Sequence, residues 1–345
     1  MCFRWPSVIA LDANIWISER LFRSATGAAF LHAIRRTNTR VLLPDVTRIE
    51  VILGVEREGT KAVEKVTASF VTIQSLTGSR PDHQLPSRED FRRAAEDRIE
   101  ELGELLVHAA ATLEHYDRAL ARVLEHRPPA SETREQYRDC LLWEMLLDHR
   151  KDSSVLVSAD KDFADKRSSQ RGLAATLREE CNDEVAYFSS LADCLRAMEP
   201  QVPPMDMEAI HDAIVAEVLP EATELAQAKG FQLGPQKDSS IELYATEDVG
   251  RTAAVFDVVF SAFDLSLPDG ALVAEADLIL SGDCVIRDGP QVAELSMRRI
   301  EAHAPDGERL PFGVVYMSVH GIQGVAQIPY RVRTAIPNCE QAEDA

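Results

Sequence analysis

Along the first two hundred positions, short unbroken apolar runs alternate with longer stretches in which apolar residues recur every three or four positions. The runs "SVIALD" (7–12), "TRVLLP" (39–44), "SSVLVSADKDF" (153–163) and the start of "DEVAYFSSLADCLRAM" (183–198) are too short for buried helices and read as buried strands. Between them, Ile15, Ile17, Leu21, Phe22, Ala29, Phe30 and Ile34 predict a helix over 14–38. The spacing predicts a second helix over 45–70, which Asp45 or Thr47 can cap. Residues 88–127 are rich in Glu, Arg, Ala and Leu and read as helical. Residues 131–151 form another helix, with Tyr137, Leu141, Leu142, Met145 and Leu146 on its apolar side. Strands that alternate with helices argue for a parallel sheet covered on both faces.

The texture changes after "EPQVPPM" (199–205), a Pro-rich junction. A helix over 206–229 follows. Beyond it, "SIELYATED", "TAAVFDVVFSAFDLSL" and "FGVVYMSVHG" show two-residue alternation and β-branched residues, with turns at "PDG" (268–270) and "RDGP" (287–290). The expected organisation is a first domain over 1–198 with a helical insert near 88–127, a linker and helix over 199–229, and a smaller α+β domain rich in antiparallel strands over 230–335. The final residues read as a frayed tail.

Composition narrows the function. The 345 residues suit about two domains, and 45% hydrophobic residues can bury a real core. No stretch approaches the roughly 18 apolar residues of a membrane span, and "MCFRWPSVIALDAN" makes a poor secretion signal, so a soluble cytoplasmic protein with no membrane partner is expected. The net charge of −20 is uneven. Residues 201–345 hold 9 Lys and Arg against 24 Asp and Glu, a balance of −15, while the first 200 residues carry −5. Such a chain repels a phosphate backbone, so any nucleic-acid contact must be local and belongs to the N-terminal part. Six scattered cysteines form no C-x-x-C pair, which argues against zinc and for free, buried thiols.

The candidate chemistry lies in acids that follow strands. In an open parallel sheet, ligands bind beyond the carboxyl ends of the strands. Asp12 holds that position on the first run, and Asp160 and Asp162 hold it on the third. Glu50 falls in the first turns of the second helix, and Asp139 stands four residues before Trp143 at the edge of an apolar stripe. Taken singly, each has an ordinary role: Asp12 or Asp162 as a helix cap, Glu50 as a first-turn acid, Asp139 as a surface residue. Taken together they can converge on one cleft. Two carboxylates about 4 Å apart repel by roughly 4 kcal/mol at an effective dielectric near 20. A cluster must therefore hold protons or bind a cation. With no Lys or Arg within two residues of Asp12, a hard ion such as Mg²⁺ or Mn²⁺ suits the set. Asn14 and Ser158 can position the acids without adding charge.

In order and context, "LDANIWI", "LLPDVTRIEVI", "YRDCLLWEMLL" and "VLVSADKDF" resemble the PIN nuclease domain, over about residues 5–198. "SADKDF" after the "RDCLLWEML" helix resembles the large PIN-like proteins that carry an additional C-terminal region, while the acidic C-terminal sequence itself resembles no named family. The resemblance implies a PIN-like three-layer α/β/α fold with a central parallel sheet. It also implies a metal-dependent nuclease, in most such proteins an endoribonuclease that cuts single-stranded RNA. Asp12, Glu50, Asp139 and Asp160 would bind the metal and carry catalysis, with Asp162 as a fifth ligand or a substitute for Asp160. In-line attack by metal-activated water would leave a 5′-phosphate and a 3′-hydroxyl. A toxin or defence effector is a setting the resemblance suggests.

Lys161, Lys166, Arg167 and Arg171 follow the acids of the third strand and could hold phosphates, although a solvated helix face suits them as well. Trp16 and Trp143 could stack on bases, but their apolar surroundings point to the core. His108, His115 and His126 lack the spacing of a zinc helix. The acidic C-terminal region suits exclusion of nonspecific RNA, a homo-oligomer interface or a regulatory protein partner. Two other readings compete. An aspartyl-nucleophile phosphatase wants a second acid where Asn14 stands. A catalytically inactive PIN-like scaffold has no need to keep all four acids.

Overall fold

The computed structural model describes residues 7–79, 83–150, 154–165, 172–198, 202, 205–228, 231–264, 275–287, 289–303, 309–310 and 317–318. The turn at 268–270, the tail, Cys2 and Cys339 lie outside the described residues. The chain divides into two compact units, one of residues 1–23 and 30–199, the other of residues 24–29 and 200–345.

The first unit opens with β1 (Val8–Leu11), α1 (Ala13–Ser18), α2 (Ala25–Thr37), β2 (Arg40–Pro44) and α3 (Asp45–Thr77). It continues with α4 (Arg88–Leu102), β3 (Leu106–Ala109), α5 (Leu113–Leu124), α6 (Tyr137–His149) and β4 (Ser154–Val157), and closes with α7 (Ala175–Glu180), β5 (Val185–Phe188) and α8 (Leu191–Met198). The five strands form one sheet in the order β3-β2-β1-β4-β5. Every pair is parallel, as the strand–helix alternation predicts. All four residues of β1 and of β4 are buried, which is why these runs read as unbroken apolar sequence.

Three differences from the sequence reading have local causes. The helix predicted over 14–38 is two helices. Arg20, Leu21 and Phe22 all adopt left-handed backbone, with φ of 52°, 56° and 63°, and no helix passes through such a segment. The burial of Leu21 and Phe22, with Phe22 against Trp16 at a 4.6 Å ring separation, offsets that strain. Secondly, the helical stretch 88–127 contains β3, an edge strand of four residues with only Leu106 and Ala109 buried. A run that short with two inward residues gives little periodic signal. Thirdly, α3 runs past the predicted end at 70 to Thr77, where Gly78 at φ 76° supplies a left-handed cap.

The core of this unit packs β1, β2 and β4 against α6, whose Leu141, Leu142, Trp143, Met145 and Leu146 are all buried. Trp16 and Trp143 are both fully buried, so neither presents a ring for stacking. His115 closes the N-terminal capping box of α5 with Thr112 and bonds Asp148 through Nε2 at 2.9 Å, a structural role.

The second unit joins α9 (Met207–Ala228) to a meander of β6 (Phe231–Ala245), β7 (Arg251–Asp264), β8 (Glu275–Arg287) and β9 (Gln291–His303), with β10 (Arg309–Leu310) and β11 (Met317–Ser318) both pairing with β9. All pairings are antiparallel. In α9, Ile210, Ile214, Val218, Ala222 and Ala226 recur every four residues and form one apolar stripe. The stripe packs on sheet residues spaced two apart, among them Ala254, Phe256, Val258 and Phe260. The turn predicted at 287–290 joins β8 to β9, with Gly289 at φ 100°. No helix among the described residues is long and apolar enough to cross a membrane.

Candidate active site

With β1 central and its neighbours reached by crossovers in opposite directions, the carboxyl ends of β1 and β4 flank the point where strand order reverses. Ligands of open α/β sheets bind at such points. The Asp12 N–H donates to the Val157 carbonyl at 3.0 Å, extending the β1–β4 ladder by one residue before α1 begins. Asp12 sits at the N-cap of α1, yet its side chain makes no cap bond. Its Oδ2 instead accepts from Asn14 Nδ2 at 2.8 Å and from Ser158 Oγ at 2.7 Å. This excludes the helix-cap reading of Asp12 and gives Asn14 and Ser158 the supporting contacts expected of them.

Ser158 ties the two strand ends together. While donating to Asp12, its hydroxyl accepts from the Asp160 N–H at 3.0 Å. Tyr187 on β5 donates its hydroxyl to the Ser158 carbonyl at 2.7 Å, fixing the turn from the other side. Asp160 then accepts from the Asp162 N–H through Oδ1 at 2.9 Å and from Gln136 Nε2 through Oδ2 at 3.0 Å. Glu50, on the second turn of α3, accepts from the Arg138 guanidinium. Arg134 reaches Asp162 at 3.3 Å.

The acids sense one another. Asp139, in the first turn of α6, is pushed up to about 8, first by burial and then by the negative charges of Asp12, Asp160, Glu50 and Asp162. Asp12 is also raised, first by burial, with Glu50 and Asp160 adding to the shift while the Ser158 hydrogen bond opposes it. The fold thus gathers all five sequence-predicted acids into one electrostatic neighbourhood. No Lys, Arg or His among the described residues pairs with Asp12 or Asp139.

The basic residues expected beside the site are placed less fully. Lys161 is exposed and joins none of these contacts, and Lys166, Arg167 and Arg171 lie outside the described residues. The polar groups that do touch the acids are Arg134, Gln136 and Arg138, alternate residues leading into Asp139. In the sequence they are marked only by their proximity to Asp139 in "TREQYRDC".

Among the described residues, no three His, Cys, Asp or Glu side chains stand as a group that could hold a metal ion. Glu50, Asp160 and Asp162 are each engaged by a neighbouring cation or amide. In kind, the donor set still fits a hard divalent ion. It consists of carboxylates alone, two of which are driven toward protonation by enclosure and mutual repulsion.

Residues 9–163 match the family model described as PIN domain. The N-terminal region belongs to the PIN-domain family. PIN domains are generally nucleases that act with divalent metal ions, and a nucleic-acid substrate follows from that membership. The PIN domain spans β1 through the residues just after β4 and so includes Asp12, Glu50, Asp139, Asp160 and Asp162. Residues 200–345 of the second unit lie beyond the match as a C-terminal extension of the PIN region. No curated protein and no solved structure gives a significant match to the chain.

Proposed function

We propose that the chain is a Mg²⁺- or Mn²⁺-dependent endonuclease that hydrolyses phosphodiester bonds of single-stranded, cytoplasmic RNA. The feature that carries this reading is the gathering of Asp12, Glu50, Asp160 and Asp162 close enough to Asp139 for their charges to act on it, in the region that matches a PIN domain. A bound divalent ion would supply the positive charge that lets these acids ionise together, activate water and neutralise a phosphoryl oxygen. Asp12, Glu50, Asp139 and Asp160 would hold it, with Asp162 as a fifth oxygen donor. Asn14 and Ser158 hold Asp12 through its Oδ2 from two directions, which fixes the carboxylate before an ion arrives. Asp160 is held similarly by its bonds to the Asp162 N–H and Gln136.

The test is cleavage of a labelled single-stranded RNA with Mg²⁺ or Mn²⁺, repeated with folded Asp12→Asn and Asp139→Asn proteins. Metal-dependent cutting by the wild type, lost in both variants, is expected. The runner-up, an inactive PIN-shaped scaffold, draws on the engagement of Glu50 by Arg138 and of Asp162 by Arg134. A wild-type protein that binds neither ion and cuts nothing would establish the scaffold and remove the nuclease.

A further inference from the structure

Three alternate residues at the entrance to α6 each touch a different acid of the cluster. Arg134 reaches Asp162 at 3.3 Å, Gln136 reaches Asp160 at 3.0 Å, and Arg138 pairs with Glu50. Gln136 lies in left-handed backbone at φ 40°, which breaks the approach to the helix. The two arginine side chains are 64% and 68% exposed. Each therefore bonds an acid of the cluster while most of its side chain stays open to solvent.

From this arrangement we infer that Arg134 and Arg138 are the phosphate-binding groups of the site, a substrate-positioning pair that the acids hold in place until a nucleic-acid backbone arrives. The inference rests on the nuclease reading above.

The physical case has three parts. A chain of net charge −20 needs local cations before a polyanion can approach. Guanidinium groups bind phosphate through two parallel hydrogen bonds, more specifically than an ammonium can. Both arginines are exposed although their carboxylates are not, so solvent screens each pair from one side and the arginine can exchange its carboxylate for another anion. When Glu50 and Asp162 turn to a divalent ion, the arginines lose their carboxylate partners beside the same spot where a scissile phosphate must sit. One pair of residues thus balances the acids at rest and then holds the substrate. The two uses share a location because both answer the same negative charge.

The experiment measures binding of a labelled single-stranded RNA of about 12 nucleotides to the full chain by fluorescence anisotropy. It is run with Ca²⁺ and again with EDTA, and strand integrity is checked on a gel. With Ca²⁺, Arg134→Ala/Arg138→Ala is expected to weaken binding about tenfold. It should also reduce the slope of log affinity against log salt by about 1.4, since each phosphate contact on a single strand contributes about 0.7. With EDTA the loss should shrink to under about threefold, because the arginines are then engaged by acids. Arg138→Lys keeps the charge but lacks the fork and should fall between wild type and Arg138→Ala. Equal melting temperatures check that the variants fold. Equal affinity and an equal salt slope in the double variant would overturn the inference while leaving a wild type that binds and cuts RNA as a nuclease. An equal loss with and without Ca²⁺ would overturn the hand-over from acid to phosphate. A wild type that binds no RNA under either condition would overturn both the inference and the reading beneath it.

Discussion

Both units of the chain bury carboxylates, but Asp283 and Glu301 of the second and Asp12 and Asp139 of the first are met in opposite ways. In the second unit, Asp283 is 1% exposed and Arg298 donates to it through Nε at 2.6 Å. Glu301, also buried, meets Arg299 and lies 3.3 Å from His303. Asp283 and Glu301 each have a cation beside them, supplied by the same or the neighbouring strand, as buried Glu144 of the first unit has Arg118 and Arg122. In the first unit, Asp12 is buried with an amide and a hydroxyl as partners, and Asp139 faces four further acids. A buried acid with a cation partner completes a fold, whereas buried acids gathered without one leave a charge to be supplied from outside. That difference separates a structural carboxylate from a candidate ligand more sharply than sequence position does.

The largest expected effect tests the first half of the contrast. Asp12→Asn and Asp139→Asn should each lower RNA cleavage by about 10²–10³-fold, since loss of one ligand removes several kcal/mol of charge stabilisation in the transition state. Initial rates at saturating Mn²⁺ measure it, and retention of a tenth or more of the activity would count against the assignment. The second half predicts the opposite kind of damage. Arg298→Met leaves Asp283 buried without its cation and should cost roughly 3 kcal/mol of stability, read from denaturant unfolding. A loss below about 0.5 kcal/mol would mean that Asp283 needs no partner and would erase the distinction between the two kinds of buried acid.

Ser158→Ala gives a smaller and more diagnostic effect. It removes the bond that lowers Asp12 and the acceptor for the Asp160 N–H. Cleavage should fall about tenfold, and the rising limb of its pH profile should move to higher pH. An unmoved limb would detach Ser158 from Asp12.

The smallest effect concerns pH and the metal-free protein. Asp139 is raised in the folded state, so the native protein holds a proton that the unfolded chain releases near 3.8. The stability due to that proton is fully present below about pH 4 and is lost as pH rises to about 8. In EDTA, Asp139→Asn should therefore melt a few degrees above wild type at pH 8 and match it more closely at pH 5. Adding Mn²⁺ at pH 8 should raise the wild-type melting temperature and leave the variant nearly unmoved. A variant that melts lower at pH 8 without metal would show that Asp139 is structural.

The sequence carried the parallel sheet because β1 and β4 are buried on both faces and leave no polar interruption. It carried the acids because a charge directly after such a strand is conspicuous, and because Asp139 adjoins the apolar stripe of α6. Other features had no such mark. The break at 20–22 depends on backbone conformation that Leu21 and Phe22 do not advertise, since both look like ordinary core residues of a continuous helix. The strand at 106–109 sits at a sheet edge and buries only its two end residues, Leu106 and Ala109. Arg134 and Arg138 resemble any solvated arginines until the fold brings β2, α3 and β4 to the same end of the sheet. The basic cluster after β4 drew attention instead because its charges are contiguous in sequence, although only Lys161 among them is described and it is exposed.

The place of β1 in the middle of its sheet bears on how long the site survives thermal fluctuation. Amides of a central strand exchange with solvent only when the whole domain opens, whereas edge strands and helix ends open locally. Asp12 extends that strand by a ladder bond to Val157, so its backbone should be among the most slowly deuterated of the chain. A cluster built on such a base keeps its spacing until the domain itself unfolds.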